Sequence, residues 1–189
     1  MMIKEQNFFS EVIPFVNPWK IISFKQINEV IQENFNGKEY FIDFYMIHNG
    51  GDFLKGSTFV PNELYELPES HQGMEMDVLG FYSISLPNEE GPSSYSVSVL
   101  TMEKKKIYNP TIQNQRDKFY KESTHEFKEF FSSHIPFAND CADSTYLIDI
   151  KSGEIKYLDF DDYFENPKAS FVVASSFEDF CKRIKKSII

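Results

Sequence analysis

Basic residues are missing from a long part of this chain: between Gly56 and Val99 there is no lysine or arginine, while Glu63, Glu66, Glu69, Glu75, Asp77, Glu89 and Glu90 are all present. A second stretch sets Asp140, Asp143, Asp149, Glu154, Asp159, Asp161, Asp162 and Glu165 against only Lys151 and Lys156. Over the whole chain 19 Lys and Arg face 29 Asp and Glu, a formal net charge of -10. Such a field repels a phosphate backbone and attracts a basic protein, which argues against direct nucleic-acid binding. Taken without geometry, the same carboxylates also serve to solvate turns. Cysteine is scarce as well. Cys141 and Cys181 stand alone, which excludes a disulfide framework and suits a reduced cytoplasm. No apolar run approaches the length that crosses a bilayer, and "MMIKEQNFFSEVIPFVNPWK" has neither a continuous apolar core nor a small-residue cleavage site. The expectation is a cytoplasmic chain without a membrane segment.

Aromatic side chains are abundant. With 20 Phe, 10 Tyr and a 41% hydrophobic fraction in 189 residues, the chain folds and buries one substantial core. We divide it into a lead-in over 1–20, ending at "NPWK", and a single domain over 21–189. In "SFKQINEVIQENF", Ser23 caps a helix on which Ile27, Val30, Ile31 and Asn34 recur at helical spacing, with Phe24 and Phe35 extending the apolar edge. "GKEYFIDFYMIHNGG" predicts a second helix with Tyr40, Phe41, Phe44, Tyr45 and His48 near one side, closed by Gly50 or Gly51 in the left-handed conformation.

Beyond those glycines the periodicity changes. "STFVPNELYEL" mixes a short extended segment with a proline-led turn, "MEMDVLGFYSISL" predicts a strand broken or bulged at Gly80, and "YSVSVL" alternates after the turn in "PNEEGPSS". Residues 103–125 predict a loop and an irregular helix, which "THEFKEFF" extends or restarts before Pro136 interrupts the pattern. "STYLIDI" and "EIKYLDF" form the strongest hairpin signal, with Tyr146, Ile148, Ile155 and Tyr157 facing one side. "SSFEDFCKRIKKSII" predicts a final helix, begun at Ser175 or Ser176, with Glu178 and Asp179 at its positive end and Lys182, Arg183, Lys185 and Lys186 at its negative end. The order of elements is that of an α+β domain without a nucleotide-binding βαβ unit.

No active site assembles from these motifs. His48, Asn49 and Asp52 cluster at the glycine stop, but no nearby serine or cysteine completes a nucleophilic unit. Zinc would need His134, Cys141 and Asp143, or His125 and His134, to converge, and neither set has compact ligand spacing. Asp159, Asp161 and Asp162 in "DFDD" offer oxygen ligands, yet the glycine and distal glutamate of a calcium loop are missing, which favours a solvent-facing acidic turn. "NGGDF" lacks the lysine of a phosphate loop, and Lys104, Lys105 and Lys106 are a weak nucleic-acid footprint beside so much acid. The expectation is a protein without catalysis, cofactor or metal.

The order of motifs resembles the SUKH superfamily of α+β domains, which includes bacterial toxin-immunity proteins and fungal cell-wall regulators. The likeness rests on "FYMIHNGG", "VLGFYSI", "IPFANDCADSTYLIDIKSGEIKYLDF" and "SFEDFCKRI", spread over most of residues 23–184. The chain departs from the family where Asp140, Cys141, Ala142, Asp143 and Ser144 replace a glycine-rich turn. The resemblance implies an amino-terminal helix pair, a mainly antiparallel or mixed sheet with a carboxy-terminal helix packed on it, and stoichiometric neutralisation of a cognate bacterial toxin. From the residues themselves, the expected contact surface is acidic and aromatic, and its partner is a basic protein such as a nuclease. Tyr65, Glu66, Glu69, Glu75 and Asp77 form one rim and Tyr157, Asp159, Asp161, Asp162 and Tyr163 a second, with Tyr157 turning to the core instead if it alternates inward. The competing expectations are a regulatory or scaffolding protein and an enzyme whose pocket only the fold assembles.

Overall fold

A computed structural model describes residues 7–16, 19–85, 93–97, 104–108, 111–159, 161 and 166–187. Helix α1 (Phe24–Val30) begins in a capping box: the Ser23 hydroxyl accepts from the Gln26 backbone while the Gln26 side chain accepts from the Ser23 N–H. Its stripe buries Ile27 and Ile31, but Phe24 is 61% exposed because, at the first helical position, it lies outside the packed layer. Helix α2 (Lys38–Ile47) comes next and buries Phe41, Ile42, Phe44 and Tyr45. The expected amino-terminal helix pair is therefore present.

The chain then turns directly into β2 (Gly51–Phe59), so the strand starts at the second glycine, ahead of the extended segment expected from Ser57 onward. On one edge β2 pairs with β3 (Met76–Phe81), and on the other it is shared by β1 (Phe15–Val16) near Asp52 and by β10 (Ile184–Lys186) near Thr58. The bulge expected at Gly80 lies instead across the ladder, between Asp52 and Ser57. Gly80 is constrained for another reason: a Cβ there would stand 2.6 Å from the Gly51 carbonyl oxygen. Strand β6 (His134–Asn139) runs through Pro136 and shifts register between Pro136 and Ala138, an irregularity beside the position that lacks a donor. Strands β7 (Thr145–Asp149) and β8 (Ile155–Leu158) form the expected hairpin, and β9 (Phe171–Ala174) extends the sheet. The eight-stranded sheet has the order β1-β2-β3-β6-β7-β8-β9 with β10 also on β2, all pairs antiparallel.

Strand alternation sorts the core into two layers. Tyr146, Ile148, Ile155 and Tyr157 face the main core with α2 and α5 (Phe177–Arg183), where Phe177 packs on Phe44 and Phe137, and Phe180 stacks on Phe59. Leu147 and Leu158 face the other side and meet Phe119 and Phe131 from α3 (Ile112–Glu122) and α4 (His125–Ser132). The lead-in belongs to the main core through Phe8 and Phe9, which contact Phe44 and Phe53 edge to face. Two expectations need correction. Part of the loop expected at the start of 103–125 is a strand, β5 (Lys104–Tyr108), paired with β4 (Ser93–Val97). The terminal helix stops at Arg183, so Lys185 and Lys186 lie on β10, where Ile184 fills the core and β2 supplies the hydrogen bonds.

Candidate binding surface

The glycine stop after α2 is a structural staple. Asn49 is buried, its Nδ2 donates to the Lys20 and Ile84 carbonyls at 2.9 Å each, and its Oδ1 accepts from the Ile84 N–H at 2.8 Å. Gly50 holds φ at +72°, and a Cβ there would lie 2.7 Å from Ser83 Cα. His48 packs its ring on Phe8 and Phe44, and burial lowers its pKa. These three residues tie the end of α2 to the lead-in and to the segment beyond β3.

The zinc sets do not form. His134 opens β6 and Cys141 lies past its far end, and His134 is otherwise occupied. Its Nδ1 donates to the Phe130 carbonyl at 2.7 Å and its Nε2 accepts from Lys156 Nζ at 3.2 Å, while Lys156 also pairs with Asp149 at 2.8 Å. Burial, and after it the Lys156 charge, pushes the His134 pKa down. Cys141 is exposed but donates to Asp77 Oδ2 at 3.1 Å, and that carboxylate raises its thiol pKa, so its sulfur is a poor nucleophile. Cys181 is buried, which raises its thiol pKa too. Among the described residues no group of three or more His, Cys, Asp or Glu side chains is placed to hold a metal ion.

What the fold does bring together are carboxylate-bearing segments. Asp77, on β3, touches Cys141 in the β6–β7 turn. That turn is held by the buried Asp140, whose Oδ1 accepts from the Ala142 and Ser144 N–H groups at 2.8 and 2.9 Å and whose Oδ2 accepts from the Tyr157 hydroxyl at 2.7 Å. Tyr157 in turn packs on His71, ring centroids 5.6 Å apart, in the 3-10 turn that carries Glu69. Just past Tyr157, the Asp159 carboxylate accepts from the Asp161 N–H at 3.1 Å. Exposed Asp77 on β3 is thus tied to Cys141, two residues before exposed Asp143, while exposed Glu69 and half-buried Asp159 each lie two residues along the chain from the His71–Tyr157 ring contact.

Among the residues of the two anticipated rims, one turns inward. Tyr157 is only 5% exposed and serves as the hub beneath this surface, because its position on β8 pairs with Tyr146 and faces inward. Tyr65 is half-buried, and its hydroxyl pKa is raised by burial and then by Glu154 and Asp179. Glu66 is exposed beside it. Asp162 and Tyr163 lie outside the described residues.

Beside the acids, residues 60–75 wall a groove of about 700 Å³ that includes Val60, Pro61, Tyr65, Glu66, Met74 and Glu75. Leu64 and Met74 are 86% and 58% exposed. Sequence reasoning passes over both, and over His71, because "ELYELPESHQGMEMD" has no period that assigns a face. The usable signal is the presence of large apolar residues in a segment punctuated by proline and glycine. Such a surface supplies apolar contact area and charge selection; the Ser70 hydroxyl and His71 Nδ1, 2.9 Å apart, are sequence neighbours at the exposed 3-10 turn.

A profile of the SMI1/KNR4 family (SUKH-1) matches residues 31–183, most of the chain, and the chain belongs to that family. Membership is consistent with an immunity-like or a regulatory protein, and the family is generally non-enzymatic. No curated protein and no solved structure matches. Among the described residues no helix is long and apolar enough to cross a membrane.

Proposed function

We propose that this SUKH-1 chain is a cytoplasmic immunity protein that neutralises a cognate bacterial toxin by direct, stoichiometric association, with no reaction of its own. The observation that supports this reading is the joining of Asp77 on β3 to the β6–β7 turn that holds Asp143, in a chain with a net charge of -10 that also exposes Leu64 and Met74. An acidic field steers a basic partner, such as a nuclease, and exposed apolar side chains supply contact area once water is excluded. Occupying the cationic channel of such an enzyme denies it nucleic acid without chemistry.

The test is an untagged co-purification with the product of the neighbouring gene, followed by a toxin-protection assay. A complex that protects cells is the expected result. A complex without protection redirects the reading to a regulatory partner, and neither complex nor protection contradicts it.

A further inference from the structure

The groove at 60–75 has two kinds of wall. Val60, Pro61 and Met74 are apolar, while Glu63, Glu66 and Glu75 carry carboxylates at an exposed rim. Among the described residues none of these three carboxylates is in an ion pair. The walls are built before any partner arrives. Leu64 N–H donates to Asn62 Oδ1 at 3.0 Å, Tyr65 N–H to the Asn62 carbonyl at 3.0 Å, and Gln72 Nε2 to the Leu67 carbonyl at 3.2 Å. Below them the His71 ring is wedged against Phe171 and Tyr157 at 5.0 and 5.6 Å.

We propose that this groove receives one arginine side chain from a basic segment of the protein partner, an inference that rests on the binding role proposed above. The lining selects that side chain. A purely apolar anchor would cover the rim carboxylates without a counter-charge, which is costly. An arginine lays its methylene stem along Val60, Pro61 and Met74, and its weakly hydrated, planar guanidinium meets the Tyr65 ring and the rim carboxylates. A lysine offers the stem but neither the fork nor the stacking plane. Because the Asn62–Tyr65 turn and the Leu67–Gln72 contact are already hydrogen-bonded, the backbone there needs little ordering on binding.

Isotope-labelled full-length protein is titrated with a short capped peptide carrying a central arginine between lysines and serines, and with the same peptide carrying citrulline, the neutral isostere. The expected result is amide shifts confined to 60–75 with the arginine peptide, their loss with citrulline, and about tenfold weaker binding by the Glu66→Gln, Glu75→Gln double variant at low salt. Equal shifts with both peptides, shifts elsewhere, or none would overturn the inference. The complex with the neighbouring product separates the two claims. If it forms equally tightly with the double variant, the groove inference fails and the binding role stands; if it does not form at all, both fail.

Discussion

At the scale of single residues, Asn49 decides between catalysis and architecture at the glycine stop. Its amide makes three hydrogen bonds to backbone groups of Lys20 and Ile84. Asn49→Ala leaves buried donors and acceptors unpaired and should cost about 2–3 kcal/mol in urea unfolding, against almost nothing for an exposed asparagine. A second expectation concerns protons. His48 and His134 both have native pKa values lowered by burial, so below about pH 6.5 the unfolded chain takes up protons that the native chain resists. Their contribution to stability is complete above the unfolded pKa and declines as pH falls toward the lowered native values. Unfolding free energy should therefore fall from pH 7 to pH 5, and His134→Gln should flatten that slope; an unchanged slope for H134Q would show that this histidine does not contribute.

At the scale of elements, one ring helps to seat the 3-10 turn of the 60–75 segment. His71 is the aromatic contact by which the 3-10 turn sits on Tyr157 and Phe171. His71→Ala should speed hydrogen exchange of amides in 60–75 while leaving β6 and β7 protected, since the core beneath loses no side chain. Faster exchange throughout the sheet would contradict this local role. Elements also explain what sequence made legible. The α2 helix, the β7–β8 hairpin and the start of α5 come from local periodicity and caps, through Ser176 and the alternation of Tyr146 and Ile148, and Ser23 marks the start of α1 in the same way. Strand β10 was hidden because "IKK" continues a helical charge pattern, and only the open edge of β2 turns it into a strand. Pro136 likewise sits in β6 because the ladder with β7 tolerates a register shift there, which no local signal announces. The candidate surface was legible as composition, in the missing lysines and arginines from Gly56 to Val99, and illegible as geometry. Its assembly depends on the contacts of Asp77 with Cys141 and of Tyr157 with His71, between residues far apart in the chain.

At the scale of the whole molecule, the rings of Phe44, Phe137, Phe177 and Phe180 pack into one core, and the β6–β7 turn is tied to β3 through Asp77 and to β8 through the Asp140–Tyr157 hydrogen bond. Under the proposed function, the net charge of -10 acts through its placement, since charge spread evenly would steer a partner to no particular surface. Under the proposed function the protein acts by occupancy. The direct measurement is a titration of the activity of the proposed cognate toxin with this protein at concentrations well above the dissociation constant. We predict a linear fall that ends at a one-to-one equivalence point and does not deepen with incubation time. Progressive loss of toxin activity at a small fraction of an equivalent would reveal turnover and contradict the account.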